Sequence, residues 1–407
     1  MEHTRIKFSL AKFSIVIPVD ALAYIDPGTG SAIAGISWIG LIFILLMLND
    51  LLHRLVGFFL FIRLRKFARY DSIFHIESAS YFETFAGYLI SKGNSFPGKH
   101  LVICEKSTYD RLMVIQCDND NCIFQHANIN DLYYQCALIR FLSGKELITT
   151  TPSLNYKYFL KTKRISTWTH ITHSMSDVHF YKCLPFDHFD RIYSPTKAMA
   201  ENIEILNNIR GNRNIEIIQE KLFYYQYWDT IVEGYGINCN KDILLLAPSW
   251  GINSLLYKLT NELCYCIMSY ATRNGLKVHM RPHPQSYVSD KNQLNIVMNI
   301  FSTIGIHINY DVKISPYDVL LKTNILISDF SGVVYDYHYL NSNPKVICLA
   351  FENHILNDLN ENIFLESISM EEKIFKKHAY IVHSKKQFIS VLNSEIKAST
   401  KIKFKGL

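Results

Sequence analysis

Residues 279–287 read HMRPHPQSY, which puts two histidines and an arginine within five positions and a proline on each side of His283. An imidazole takes or gives a proton near neutral pH, and a guanidinium offers forked donors to anionic oxygens. Pro282 and Pro284 restrict the backbone around His283. This combination fits proton or phosphate chemistry at a stiffly held point. The competing reading is a histidine that only closes a proline-rich turn. His279 falls in mid-strand, where a satisfied structural histidine is the simpler role.

Two further loops carry the same kind of chemistry. In ILISDFSGVVYDY, residues 325–337, a buried strand through Ser328 meets a helix from Val333 onward across Asp329, Ser331 and Gly332. Ser331 is expected to cap that helix, and Gly332 to let a ligand approach the backbone. Unpaired N–H groups at the helix start then make a phosphate site. Asp329 would repel phosphate, so it is expected to orient a hydroxyl, a histidine or backbone N–H groups. LLLAPSWGINSLL has the same form, with Ser249, Trp250 and Gly251 between a strand and a helix.

Residues 166–196 hold His170, His173, His179 and His188 with Asp177, Asp187 and Asp190. Their spacing lacks a repeated metal-ligand pattern, and one histidine at a strand–helix junction, His173, is the preferred candidate. The nine cysteines include no CxxC pair and read as reduced core thiols of a cytosolic domain. No paired carboxylates for a metal–diphosphate bridge lie beside these loops. No obligatory cofactor or protein metal-ligand set is therefore expected, while bound magnesium stays compatible.

Positioning these groups requires an alternating α/β chain. IFHIES, HLVICE, LMVIQ and ELITTT read as strands, with INDLYYQCALIRFL and KAMAENIEILNNI as helices. A second series runs through DILLLAP, the amphipathic NSLLYKLTNELCYCIMSYATRNG, LKVHMRP, IHINYD, ILISDF and KVICLAF. Such alternation implies parallel sheets with right-handed crossovers, so two Rossmann-like domains facing a cleft are expected, at 71–235 and 236–407. Ligands of such sheets collect at the carboxyl ends of the strands. Pro282 should end its strand, leaving His283 on that side.

A chain of 407 residues with 49% hydrophobic and 19% charged content is a folded protein. Its net charge of +6 is diffuse and shows no basic stripe with interleaved aromatics, which argues against a nucleic-acid partner. Residues 1–70 differ. Ala32 to Leu48 is an apolar run of spanning length, followed by a second, interfacial stretch from Leu55 to Ile62. Arg63, Arg65, Lys66 and Arg69 follow it and place the remaining chain in the cytoplasm. Residues 1–23 imitate a signal peptide. A bacterial cytoplasmic membrane protein with a cytoplasmic catalytic part is expected.

RPHP, ISDFSGVVYDY, LAPSW and THSMSDVHFY…FDHFDRIYSPTKAM occur in an order and spacing that resembles the CDP-glycerol glycerophosphotransferase family, over roughly residues 165–350. The resemblance implies a GT-B architecture, a CDP-glycerol donor between the two domains, and two essential histidines. One falls on His283. The other lies in WTHITHS, where the family commonly reads WHG, so His170 and His173 are both eligible. The same likeness implies that Arg281, Ser328, Asp329, Ser331 and Gly332 contact the donor phosphates and glycerol, and Ser249 and Trp250 of the companion loop are expected to bind the donor as well. The implied reaction moves glycerol phosphate from CDP-glycerol to a hydroxyl of a lipid-linked or membrane-associated saccharide or teichoic-acid-like acceptor, releasing CMP, with His283 expected to handle the proton. The alternatives are a GT-B sugar transferase using a nucleotide sugar, or a non-catalytic partner in surface-polysaccharide assembly.

Overall fold

The computed structural model describes residues 27–64, 67–92, 97–115, 122–152, 154–155, 158–175, 186–209, 215–235, 240–304, 315–329, 331–350, 375, 377–394 and 396–399. The signal-like residues 1–23 and the IHINYD stretch, expected as a strand, lie outside them.

The chain forms two compact units, residues 1–56 and 57–407. The first contains most of helix α1 (Pro27–Leu64). Two apolar segments were expected here; the structure has one continuous helix instead. Asn49 and Asp50 do not break it, because Asp50 pairs with Arg54 one turn later at 2.7 Å. Within it, Gly40–Leu64 is long and apolar enough to cross a membrane by length and composition. The last turns, in the second unit, are not purely lipid-like: Leu60, Phe61 and Leu64 pack against the core that also holds Ile73 and Trp168.

The second unit contains both sheets. Its first part runs β1 (Tyr70–His75), α2 (Phe82–Lys92), β2 (Gly98–Cys104), α3 (Lys106–Ile115), β3 (Cys122–Asn128), α4 (Leu132–Ile139), β4 (Gly144–Thr149), β5 (Ile165–Ile171), β6 (Arg191–Ser194), α5 (Lys197–Ile209), β7 (Glu216–Gln219) and α6 (Phe223–Tyr235). The strands pair in parallel in the order β3-β2-β1-β4-β5-β6-β7. LMVIQ is not a strand: Leu112 to Ile115 close α3, where Thr108 and Leu112, one turn apart, bury one face and Val114 is exposed. Its β-branched content gave way to tertiary packing.

The second part runs β8 (Ile243–Ala247), α7 (Asn261–Arg273), β9 (Lys277–Met280), α8 (Ser286–Ser289), α9 (Lys291–Ile304), α10 (Pro316–Lys322), β10 (Thr323–Ser328), α11 (Val333–Leu340), β11 (Val346–Leu349), β12 (Tyr380–Val382) and α12 (Lys385–Asn393). This sheet is also parallel, in the order β12-β11-β10-β8-β9. Strands covered on both faces read as continuous apolar runs, which is why ILLLA of β8 is buried at every position. Alternate residues feed two cores: Leu244, Leu246, Ile325 and Ile327 face one, Leu245 and Leu326 the other. The parallel two-sheet α/β fold is GT-B-like, as expected.

Helix α6 serves both sheets. Phe223 packs with Phe74 and Tyr88 of the first, while Tyr224, Tyr225 and Trp228 pack with Leu245 and Tyr335 of the second. It lies so close to α2 that a Cβ on Gly87 would stand 1.7 Å from the Phe223 carbonyl oxygen. Backbone cannot yield as a flexible side chain does. Gly87→Ala is therefore expected to cost about 3 kcal/mol or more, the upper end for overpacking. Urea unfolding checks this, and an unchanged midpoint would show that the two helices separate freely.

Candidate active site

Each sheet has one point where the strand order reverses. In the second it lies between β8 and β10, and the carboxyl ends of these strands are where a sheet of this kind takes its ligand. Ser328, the last residue of β10, is fully buried and donates its Oγ–H to the Ala247 carbonyl at 2.6 Å. It ties the strands together and is turned from any ligand. Asp329 is buried as well. Its carboxylate accepts from the N–H of Ser249 at 3.1 Å and of Leu255 at 2.6 Å. Burial raises its pKa, against those N–H groups and Lys258. Of the roles expected for Asp329, orienting backbone N–H groups is the one the hydrogen bonds describe.

Ser331 does not cap α11: Gly332 occupies the cap position without a side-chain hydrogen bond, and the Ser331 carbonyl accepts from Val334 N–H in the first turn. Gly332 has an ordinary helical φ of −55°, so its backbone does not require glycine. The N-terminus of α11 still opens at the carboxyl edge, carrying the positive end of its dipole. The Ser249–Trp250–Gly251 loop also differs from expectation. It leads to a short 3-10 turn at Leu255–Tyr257, and α7 begins only at Asn261, capped by Thr260. Gly251, at φ +90°, gives its N–H to Asp290 at 2.9 Å, and the Tyr257 hydroxyl donates to the same carboxylate at 3.2 Å. Two buried carboxylates, Asp329 and Asp290, thus stitch the loop into shape. Asp290 sits just before α9 with no spacing signature, and only the fold reveals it.

Next to β8, β9 ends at Met280 as the proline requires, and Arg281 N–H bonds the Leu246 carbonyl. The half-buried Arg281 is one of two guanidiniums, with Arg111, that face Glu83 of α2. Glu83 is raised by burial, while Ser315, the Trp228 indole N–H at 2.9 Å and those guanidiniums hold it down. His283 follows past the strand end. Its backbone N–H bonds the Pro248 carbonyl, and its Nδ1 accepts the Gln285 backbone N–H at 3.1 Å. An N–H cannot be accepted by a protonated nitrogen, so the neutral ring carries its proton on Nε2. His283 is exposed at its edge, yet enough protein surrounds it that desolvation lowers its pKa. The exposed Trp250 ring lies 6.3 Å from it, centroid to centroid. His279 stays in β9, half-buried, its pKa also lowered by burial.

In the first sheet the order reverses between β1 and β4. The two eligible histidines sit at the end of β5, beside β4, in different surroundings. His170 is 2% exposed, lies between the Phe186 and Phe189 rings at 5.0 and 5.2 Å, and bonds the Thr150 carbonyl through Nε2 at 3.1 Å. Desolvation, then His173, push its pKa down to about 3. It is a core residue. His173, two residues past the strand, is half-buried with the Tyr81 ring 4.7 Å away. Desolvation first and His283 second lower its pKa to about 4, against a hydrogen bond to the Thr150 carbonyl. Its Nδ1 is enclosed by protein and has no partner among the described residues. His173 and His283, on loops of different sheets, lie within electrostatic reach of each other. Asp177 and His179 lie outside the described residues, and no group of three metal-binding side chains occurs among the described ones.

The buried histidines make stability acid-sensitive. His75, His170 and His173 are held neutral by folding, at about 4, 3 and 4, against an ordinary 6.5. The unfolded chain takes up protons first, so stability is lost as pH falls from 6.5 toward 4. Each such group contributes a slope of about 1.4 kcal/mol per pH unit. Urea midpoints from pH 7 to 4.5 are expected to fall less steeply in His170→Leu than in the parent by one proton's worth. An identical slope would mean that His170 is protonated in the fold.

Residues 219–350 match the family model described as CDP-Glycerol:Poly(glycerophosphate) glycerophosphotransferase. This span covers the loops of Ser249, His283 and Asp329 and begins after the His173 segment. No curated protein matches the chain in sequence. Among solved structures, a variant of the wall teichoic acid polymerase TagF soaked with CDPG is 12% identical, with 85% of each chain covered and a TM-score of 0.48. UDP-GlcNAc 2-epimerase from Methanocaldococcus jannaschii is 12% identical, covering 82% of this chain and 95% of its own, at 0.46. A putative UDP-N-acetylglucosamine 2-epimerase from Listeria monocytogenes is 11% identical over 81% and 88%, at 0.48. The likeness to the glycerophosphotransferase family is thus carried by residues 219–350.

Proposed function

We propose that this glycerophosphotransferase-like chain moves glycerol phosphate from CDP-glycerol to a hydroxyl of a membrane-associated saccharide or teichoic-acid-like acceptor, releasing CMP. The observation that carries the reading is the family match at 219–350, which encloses β8, β10 and the loops that follow them.

The chemistry follows from the two imidazoles. The acceptor oxygen forms a bond to the donor's β-phosphorus, the bond from that phosphorus to the oxygen bridging the α-phosphate breaks, and CMP departs with the bridging oxygen. The neutral His173 ring takes the acceptor proton. His283 cannot serve as that base through Nε2, which already carries hydrogen. It donates Nε2–H to a phosphoryl oxygen, together with Arg281 and the N-terminus of α11. The proton-handling role expected for His283 thus passes to His173. Of the remaining donor candidates, Trp250 lies beside the His283 ring, Asp329 holds the Ser249 N–H, and Ser331 and Gly332 lead into the start of α11. Helix α1 anchors the enzyme in the cytoplasmic membrane, with the catalytic unit on the cytoplasmic side.

Incubating the purified chain with CDP-glycerol and with UDP- and GDP-sugars, and measuring released CMP, UDP and GDP, tests the reading. CMP release alone is expected. UDP or GDP release would make it a sugar transferase, and no release from any donor would make it a non-catalytic partner.

A further inference from the structure

The switch point of the first sheet carries a carboxylate that the reaction above does not use. Glu77 follows β1 and Thr151 follows β4, the two strands between which the order reverses. The Thr151 hydroxyl donates to Glu77 Oε2 at 2.7 Å, and Thr151 N–H is itself fixed on Thr149 Oγ1 at 3.0 Å. Glu77 is only half-buried, and its other oxygen has no partner among the described residues. The neighbouring Thr150 carbonyl accepts from Nε2 of His170, on the strand that leads to His173, at 3.1 Å. The Thr150 hydroxyl is fully buried without a partner among the described residues. Tyr81, at the far end of the Glu77 loop, lies against the His173 ring. Carboxylate, base and aromatic ring therefore share one carboxyl edge.

We propose that Glu77, held by Thr151, is the acceptor-side specificity residue: it accepts a hydrogen bond from a hydroxyl adjacent to the nucleophilic one, so the enzyme selects a neutral vicinal-diol end. An ionised carboxylate only accepts, and hydroxyl groups are the donors that a polyol or sugar offers. The same charge repels an acceptor ending in a phosphate monoester and keeps the donor's diphosphate to the other sheet. Tyr81 supplies a flat apolar surface beside the reacting carbon chain. The inference rests on the glycerophosphate-transfer reading.

The test uses the full chain, CDP-glycerol and two soluble acceptors, octylglycerol and its deoxy analogue octyloxypropanol, which keeps the primary hydroxyl and lacks its neighbour. Glu77→Gln is expected to raise KM for octylglycerol about tenfold, with CDP-glycerol affinity unchanged. The preference for octylglycerol over its deoxy analogue should shrink by the same factor. Thr151→Val, which keeps the carboxylate and frees it, should fall between. An unchanged preference in a folded Glu77→Gln enzyme overturns the proposal alone. Absence of CMP release from CDP-glycerol in the parent enzyme overturns both it and the functional reading.

Discussion

His173→Gln is expected to lower the turnover number about 10²–10⁴-fold, the usual contribution of a positioned general base. Glutamine approximates the size of the ring but offers no basic lone pair. Donor affinity should stay within severalfold, because a group that acts on the acceptor proton adds little to donor ground-state binding. The pH profile separates this role from a structural one. In the free enzyme burial holds His173 near 4, so the acid limb of kcat/KM should lie well below 6.5. A bound diphosphate brings negative charge beside the ring and favours its protonated form, so the acid limb of kcat should lie at higher pH. Coincident limbs, or a glutamine variant that retains turnover, would remove the base from this position.

His283 should behave differently although it lies within electrostatic reach of His173. Its Nδ1 is occupied by the Gln285 N–H, leaving Nε2–H as a fixed donor. Removing one such donor from a site of developing phosphoryl charge costs about 10²–10³ in rate. His283→Ala is expected to show this loss together with weaker CDP-glycerol binding, because the donor phosphate is contacted before as well as during reaction. His283→Gln keeps an N–H donor and should recover part of both. If glutamine is no better than alanine while donor binding is intact, His283 handles a proton and the roles of the two histidines are reversed.

Much of this arrangement is legible in the residues. Pro282 ends its strand where it must, the apolar runs of β8 and β10 mark buried parallel strands, and the carboxyl-edge rule then puts His283 on the ligand side of the sheet. His170 and His173 cannot be separated by sequence, since three residues of spacing do not reveal that one ring is enclosed by Phe186 and Phe189. Asp329 has chemistry suited to several tasks, and its use as an acceptor for two loop N–H groups depends on a segment eighty residues earlier. Glycine before a helix invites a phosphate-loop reading of Gly332, yet its φ is ordinary. Asn49–Asp50 looks like a helix break until the Arg54 pairing one turn later is seen. Glu77 gains meaning only from the strand order, which a lone carboxylate after a strand does not announce.

The central claim is that phosphorus, with its glycerol, leaves the nucleotide. Supplying CDP-glycerol labelled at the β-phosphorus to the full-length enzyme in membranes carrying acceptor, and following the label, tests it most directly. The account predicts that the label enters the acceptor fraction in amounts equal to the CMP formed, and that His173→Gln slows both by the same factor. Label remaining on the nucleotide as CDP while the acceptor gains only glycerol would contradict it, because the bond broken would then lie on the other side of the β-phosphate.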